Sequence, residues 1–195
     1  MTLLPQISTT ALKEWAVAVN ALSQGKQILI MRKGGIHRDD KHFRIMHQEF
    51  LLFPTFEHQQ TKLLKMEFHE NLQAVLGKHS ARGMVRLAYW SKVTDVFELT
   101  QNEILETLTS HHIWTPDYAS KRLNWRPNYP LTVALIRVYK IQKPQLIPLL
   151  DDYTGCKSWV SLAQAIPLGS MKPVLSRQQY QEKAYVIKQT LKANI

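Results

Sequence analysis

Acidic residues, cysteine and long apolar runs are all scarce in this chain of 195 residues. Fifteen Asp and Glu stand against twenty-five Lys and Arg, a formal net charge of +10. The lone cysteine, Cys156, excludes an internal disulfide and cannot by itself build a thiolate metal site. No stretch approaches the ~18 consecutive apolar residues that suggest a membrane-spanning helix. The N-terminus shows no basic-then-apolar leader pattern. The chain has no His-Glu-x-x-His, which removes the zinc-protease reading, and no Gly-x-x-x-x-Gly-Lys-Ser/Thr, which removes the P-loop nucleotidase reading. These absences lead to the expectation of a soluble cytoplasmic protein with no membrane partner, no cofactor and no structural zinc.

What is present suffices for an ordered fold. Apolar residues make up 45% of the chain, enough to bury a core. The expectation is a single domain over 1–195, with its core at about 10–165 and a C-terminal helix at about 177–192 as an appendage. Short apolar runs bounded by Gly or Pro mark strands near 27–32 and 49–53, the second stopped by Pro54. Further strand patterns cover 84–98 and 131–141. Helical periodicity predicts helices at 10–23, capped by Thr9 or Thr10 and stopped by Gly25, and at 59–76. Shorter helices are predicted at 101–110, at 116–124 behind a Thr115-Pro116 start, and after the 151–159 turn to about Ala165. Ser176 caps the terminal helix. The fold class is α+β, a mixed sheet or partial barrel of about four to six strands covered by helices.

The most informative stretch is 27–59. Two strand patterns end in ionisable groups, with Arg32-Lys33 ahead of Gly34-Gly35 on one side and Glu57-His58 after Pro54 on the other. The polar loop between them, 33–46, reads as a hairpin connection with a flexible tip. A second stretch, 118–150, contains six cations and no acid. There Lys121, Arg122 and Arg126 interleave with Trp125, and Arg137, Lys140 and Lys143 follow. Cations alternating with aromatic rings suit phosphate contact together with base stacking. Arg32, Lys33, Lys121, Arg122, Trp125 and Arg126 are therefore the candidate nucleic-acid-binding residues. His112, Trp114 and Arg137 are candidates for lining or supporting the site. Arg137 lies within a strand, so its charge needs a partner, and a carboxylate near Glu49 or Glu57 is the candidate.

Other chemistry finds weaker support. His58 and His69 are about three helical turns apart and cannot share one ion. Adjacent His111 and His112 point different ways, and no third ligand is evident. Cys156 beside Lys157 lacks the neighbouring histidine that a thiol nucleophile uses, so a structural thiol is favoured. Asp151-Asp152 is a single acidic pair, a weak magnesium signal.

Several stretches taken together, Ala11-Leu12-Lys13-Glu14-Trp15, Arg32-Lys33-Gly34-Gly35-Ile36, Phe53 to Gln59, His112-Ile113-Trp114-Thr115 and Arg137-Val138-Tyr139, resemble a known family. It is the bacterial family catalogued as domain of unknown function 1802, common in cyanobacteria, and the resemblance spans about 10–165. The resemblance implies no catalytic residues, because the family has no assigned activity. A loose association of that family with restriction-modification genes would favour a role with nucleic acid, by analogy only.

Three functional readings stand at this point. The first is a nucleic-acid-binding or nucleic-acid-associated domain. The alternative is a small metal-dependent or acid/base hydrolase of phosphodiesterase type, with His47, Glu49, Glu57 and His58 converging at the strand ends. A second alternative is a protein-interaction module whose basic surface serves solubility.

Overall fold

The computed structural model describes residues 4–33, 47–57, 59–77, 83–125, 127–155 and 157–192. Its backbone is one long antiparallel pair, β4 (Met84–Leu99) with β5 (Leu131–Pro148), in register from Met84↔Pro148 to Leu99↔Leu131. The register slips between Leu87 and Tyr89 and again between Val93 and Asp95. Such bulges bend and twist a strand pair. The other strands are β1 (Ile7–Trp15), β2 (Leu29–Arg32), β3 (Glu49–Thr55), β6 (Trp159–Pro167) and β7 (Met171–Pro173). They form a seven-stranded mixed sheet in the order β2-β5-β4-β3-β1-β6, with β7 paired to β5. Only β1 and β3 pair in parallel among the described strands.

Alternation along the strands accounts for how the sheet is covered. Leu29 and Met31 of β2 and Val133 and Leu135 of β5 face one buried cluster, whereas Ile30, Ala134, Ile136 and Val138 face another. In the same way Leu51 and Phe53 of β3 turn away from Phe50 and Leu52. Side chains at i and i+2 share a face, so both faces of the central strands are buried. The cluster containing Leu12, Ile30, Phe50, Leu52 and Ile136 draws on β1, β2, β3 and β5 together. The sheet is therefore curled, with this cluster on its shared inner face. Helices α1 (Ala16–Ser23), α3 (Asn102–Thr107), α4 (Pro116–Asn124) and α5 (Arg177–Lys192) contribute to the cluster on the outer face of β2 and β5, and α2 (His69–Gly77) adds Leu72 to it. Tyr180, Ala184, Ile187 and Leu191 of α5 are all buried there.

The mixed α+β class read from the sequence holds, with seven strands rather than four to six. Four local expectations are corrected. Residues 10–15 are strand, not the start of a helix, and β1 passes into α1 without an intervening residue. The cause is tertiary: β1 is gripped between β3 and β6, and Ala11 and Leu12 are fully buried. The expected Thr cap is replaced from a distance, since the Val17 amide donates to Gln59 Oε1 at 3.1 Å. Gly25 does stop the helix, at φ +66° with its amide donating to Leu22 O at 3.1 Å.

Residues 59–68 make two 3-10 turns instead of a helix, which begins only at His69. Leu64 bridges Trp114, with Lys65 N donating to Ile113 O at 3.0 Å and Thr115 N to Leu63 O at 3.1 Å. These cross-chain bonds take the place of helical ones. The short helix expected after the 151–159 turn, to about Ala165, is strand β6, with Val160 and Leu162 buried and Ser161 and Ala163 exposed, the period-two pattern of an edge strand. Pro54 does not end β3, which continues to Thr55. Pairing with β4 reaches only Leu51, so β3 has a neighbour on one side alone at Pro54, and the missing N–H is tolerated. The polar loop expected at 34–46 lies outside the described residues.

Candidate functional site

Three strand ends and one helix define the principal cleft, of about 490 Å³. Parallel pairing brings the last residues of β1 and β3 side by side at Trp15↔Thr55. The end of β2 supplies Met31, Arg32 and Lys33, although β5, β4 and β3 separate it from β1 in the sheet. Helix α4 closes one wall with Tyr118, Lys121 and Arg122, and Trp125 follows at its end. The start of α4 is local chemistry: Thr115 Oγ1 accepts from the Tyr118 amide at 3.2 Å, and Pro116 occupies the first helical turn.

A bridge across the curl closes the inner end. Arg32 Nη2 lies 2.9 Å from Glu14 Oε2, the two side chains 12% and 10% exposed, and Arg32 also donates to the Lys13 carbonyl. Glu14 Oε1 accepts from the Trp15 amide at 2.9 Å. Lys33 is buried and donates to the Leu123 carbonyl of α4, tying β2 to the helix. Lys13 Nζ donates to Gly155 O at 3.0 Å. Burial pulls the Arg32 guanidinium below its ordinary value, Glu14 opposes that shift, and the nearby positive charge of Arg122 adds to it. Burial also lowers Lys33.

The apolar wall is a ring cluster. Trp15 and Trp114 meet edge-on with centroids 5.0 Å apart, and Tyr118 lies 4.9 Å from Trp114 and 6.0 Å from Trp15. Trp114 is 6% exposed and Trp125 is 50% exposed, so one is wall and the other stands at the mouth. Arg122 donates to the Tyr118 hydroxyl at 2.9 Å. Among the described residues, six cations line the cleft (Lys13, Arg32, Lys33, Lys121, Arg122 and Lys157) against two carboxylates, Glu14 and Glu57. The Nε atoms of Arg32 and Arg122 are shielded from solvent and have no hydrogen-bond partner among the described residues.

The structure thus brings Arg32, Lys33, Lys121, Arg122 and Trp125 into one cleft, with Trp114 in its wall. Arg126 lies outside the described residues, as do His58 and Cys156. Glu57 lines the cleft, but Glu49 is bound to Lys92 at 2.9 Å and His47 packs edge-on against Trp159 at 5.1 Å. Among the described residues no three His, Cys, Asp or Glu side chains form a metal-holding group.

His112 is away from the cleft lining and buried, and burial followed by the nearby Lys65 charge lowers its pKa to about 4, against a smaller opposing effect of backbone groups at Trp114 and His112 itself. The carboxylate expected for Arg137 is corrected. Its guanidinium stacks over Tyr139 at 5.6 Å and Tyr180 at 5.7 Å. The ring faces offset part of its charge, while its Nε is shielded from solvent with no hydrogen-bond partner among the described residues.

Lys13, Glu14, Trp15 and Tyr118 are site residues that sequence reasoning passed over. The first three were assigned to a helix, and nothing local signals that a fully gripped strand would carry them to the end of β2.

A family model described as "Domain of unknown function (DUF1802)" matches residues 11–185. Among solved structures, the fold is similar to a serine-to-alanine mutant of the ASCH protein from Zymomonas mobilis, at 11% identity over 94% of this chain and 99% of that one, with a TM-score of 0.43. It is likewise similar to ASCH from Zymomonas mobilis, at 10% identity over 91% and 93% of the two chains, with a TM-score of 0.42. No curated protein gives a significant match.

Proposed function

The chain belongs to the DUF1802 family, and we propose that it binds single-stranded nucleic acid in the cleft between the ends of β1, β2 and β3 and helix α4. One observation carries the reading: residues from separate segments, Arg32-Lys33 and Lys121 to Trp125, line the same recess together with aromatic rings. Cations supply the phosphate contacts that dominate nucleic-acid affinity. Aromatic faces supply stacking that is tolerant of sequence. A concave recess suits a base splayed out of a strand better than one held in a duplex, where the base faces are covered by their neighbours.

The hydrolase alternative receives no comparable support, because Glu49 is occupied by Lys92 and sits outside the cleft lining. The test is fluorescence anisotropy with labelled single- and double-stranded oligonucleotides at low and near-physiological salt. Tighter binding of single strands, weakening steeply with salt, is the expected result. Failure of both forms to bind at low salt overturns the reading.

A further inference from the structure

The inner end of the cleft carries more positive charge than its own carboxylate neutralises. Among the described residues, Arg32, Lys33 and Arg122 meet the single carboxylate of Glu14 there, a formal excess of two charges. Lys33 donates to a neutral carbonyl, and Arg122 to a neutral phenol. Neither contact removes charge. Partly buried like charges without counter-charge are costly. The excess is met by one compact anion with several acceptor oxygens lying against the guanidinium groups of Arg32 and Arg122.

A phosphodiester carries one negative charge, whereas a phosphomonoester carries about −1.5 to −2 at neutral pH and presents three terminal oxygens. The excess of charge matches the monoester. The cleft volume of about 490 Å³ is that of a site for a single small ligand. It does not have the extent of a groove that tracks many nucleotides. The ring cluster of Trp15, Trp114 and Tyr118 lies beside the cationic end, with Trp125 at the mouth.

We propose that the inner end of the cleft is a phosphomonoester subsite, so that the ligand is a terminally phosphorylated single strand or a nucleoside monophosphate, with its phosphate against Arg32 and Arg122 and its base toward the rings. This rests on the nucleic-acid reading above and narrows it to an end or a monomer. No bond is made or broken.

The test compares one short single strand carrying a 5′-phosphate, a 3′-phosphate or only hydroxyl ends, labelled internally and followed by anisotropy. A nucleoside monophosphate and its nucleoside serve as competitors. Phosphorylation of one end is expected to tighten binding at least about tenfold. The monophosphate should compete and the nucleoside should not. In Arg122→Gln the advantage of the phosphorylated end should vanish while the melting temperature stays close to that of the parent.

If the monophosphate binds directly and the strand ends do not, the subsite is confirmed with a free nucleotide as its source, and the strand reading falls. Equal affinity for all three strands, with no competition by the monophosphate, overturns the subsite and leaves strand binding intact. Failure of every strand and of the monophosphate overturns both. The competition arm uses the unaltered chain, so the outcome does not depend on whether a variant folds.

Discussion

Arg32 at the end of β2 and Glu14 near the end of β1 make a 2.9 Å ion pair across a sheet in which three strands lie between them. The bond is possible because the sheet curls, and it closes the inner end of the cleft. Its two side chains are nearly buried, so the pair stands or falls as a unit. Removing either partner, by Arg32→Ala or Glu14→Ala, is expected to destabilise the fold by about 3–5 kcal/mol, because the survivor is an unpaired charge out of water. Replacing both with apolar residues of similar volume should cost less than either single change. Urea denaturation of the three variants, read as a double-mutant cycle, checks this.

Charge reversal on the exposed side of the cleft should separate binding from folding. Lys121 is about three-quarters exposed and ion-paired with Asp117 one turn away, at 2.8 Å. Such surface pairs contribute little to stability. Lys121→Glu is expected to weaken single-strand binding by about 1 kcal/mol and to reduce the slope of log affinity against log salt. Anisotropy titrations at several salt concentrations measure both quantities.

Two tryptophans of the same cleft should respond in opposite ways. Trp125 is half exposed at the mouth, whereas Trp114 is buried against Trp15, Tyr118 and the core. Trp125→Ala is expected to weaken single-strand binding by about 1–3 kcal/mol with little change in melting temperature. Trp114→Ala should lower stability by about 3–5 kcal/mol through the cavity it leaves. Thermal denaturation alongside binding measurements distinguishes the two; a large stability loss in Trp125→Ala would contradict its placement.

His112 should make the protein acid-sensitive. Its ring is buried, and burial, with Lys65 nearby, holds its pKa at about 4 against an ordinary 6.5. Between these two pH values the unfolded chain takes up a proton that the folded chain refuses. Stability from this group is therefore complete above pH 6.5 and falls as pH drops toward 4, by about 3 kcal/mol in all. Denaturant midpoints measured from pH 7 to pH 4 should show this loss. His112→Phe, which cannot titrate, should flatten the curve.

Local features of the sequence were enough for elements whose hydrogen bonds are closed nearby. The Thr115-Pro116 start of α4, the Ser176 cap of α5, where Ser176 Oγ accepts from the Gln179 amide at 3.2 Å, and the glycine stop at Gly25 all follow from side chains within a turn of the backbone they serve. The long apolar patterns of β4 and β5 were legible for the same reason, since alternation survives any choice of partner. The cationic, aromatic character of the 118–125 segment also needed no structure to recognise.

Tertiary pairing decided the rest. Residues 10–15 alternate too little to declare a strand, and their backbone bonds are made with β3 and β6, segments some forty to one hundred and fifty residues away. Residues 59–68 give up helical bonds for partners at Ile113 and Leu63–Thr115 that no local window contains. The meeting of Glu14 with Arg32, and of Arg32-Lys33 with α4, depends on the curl of the whole sheet. Residue types and spacing determine which groups a strand end can carry. Which strand ends share a cleft is set by register and curvature, and those are properties of the assembled sheet.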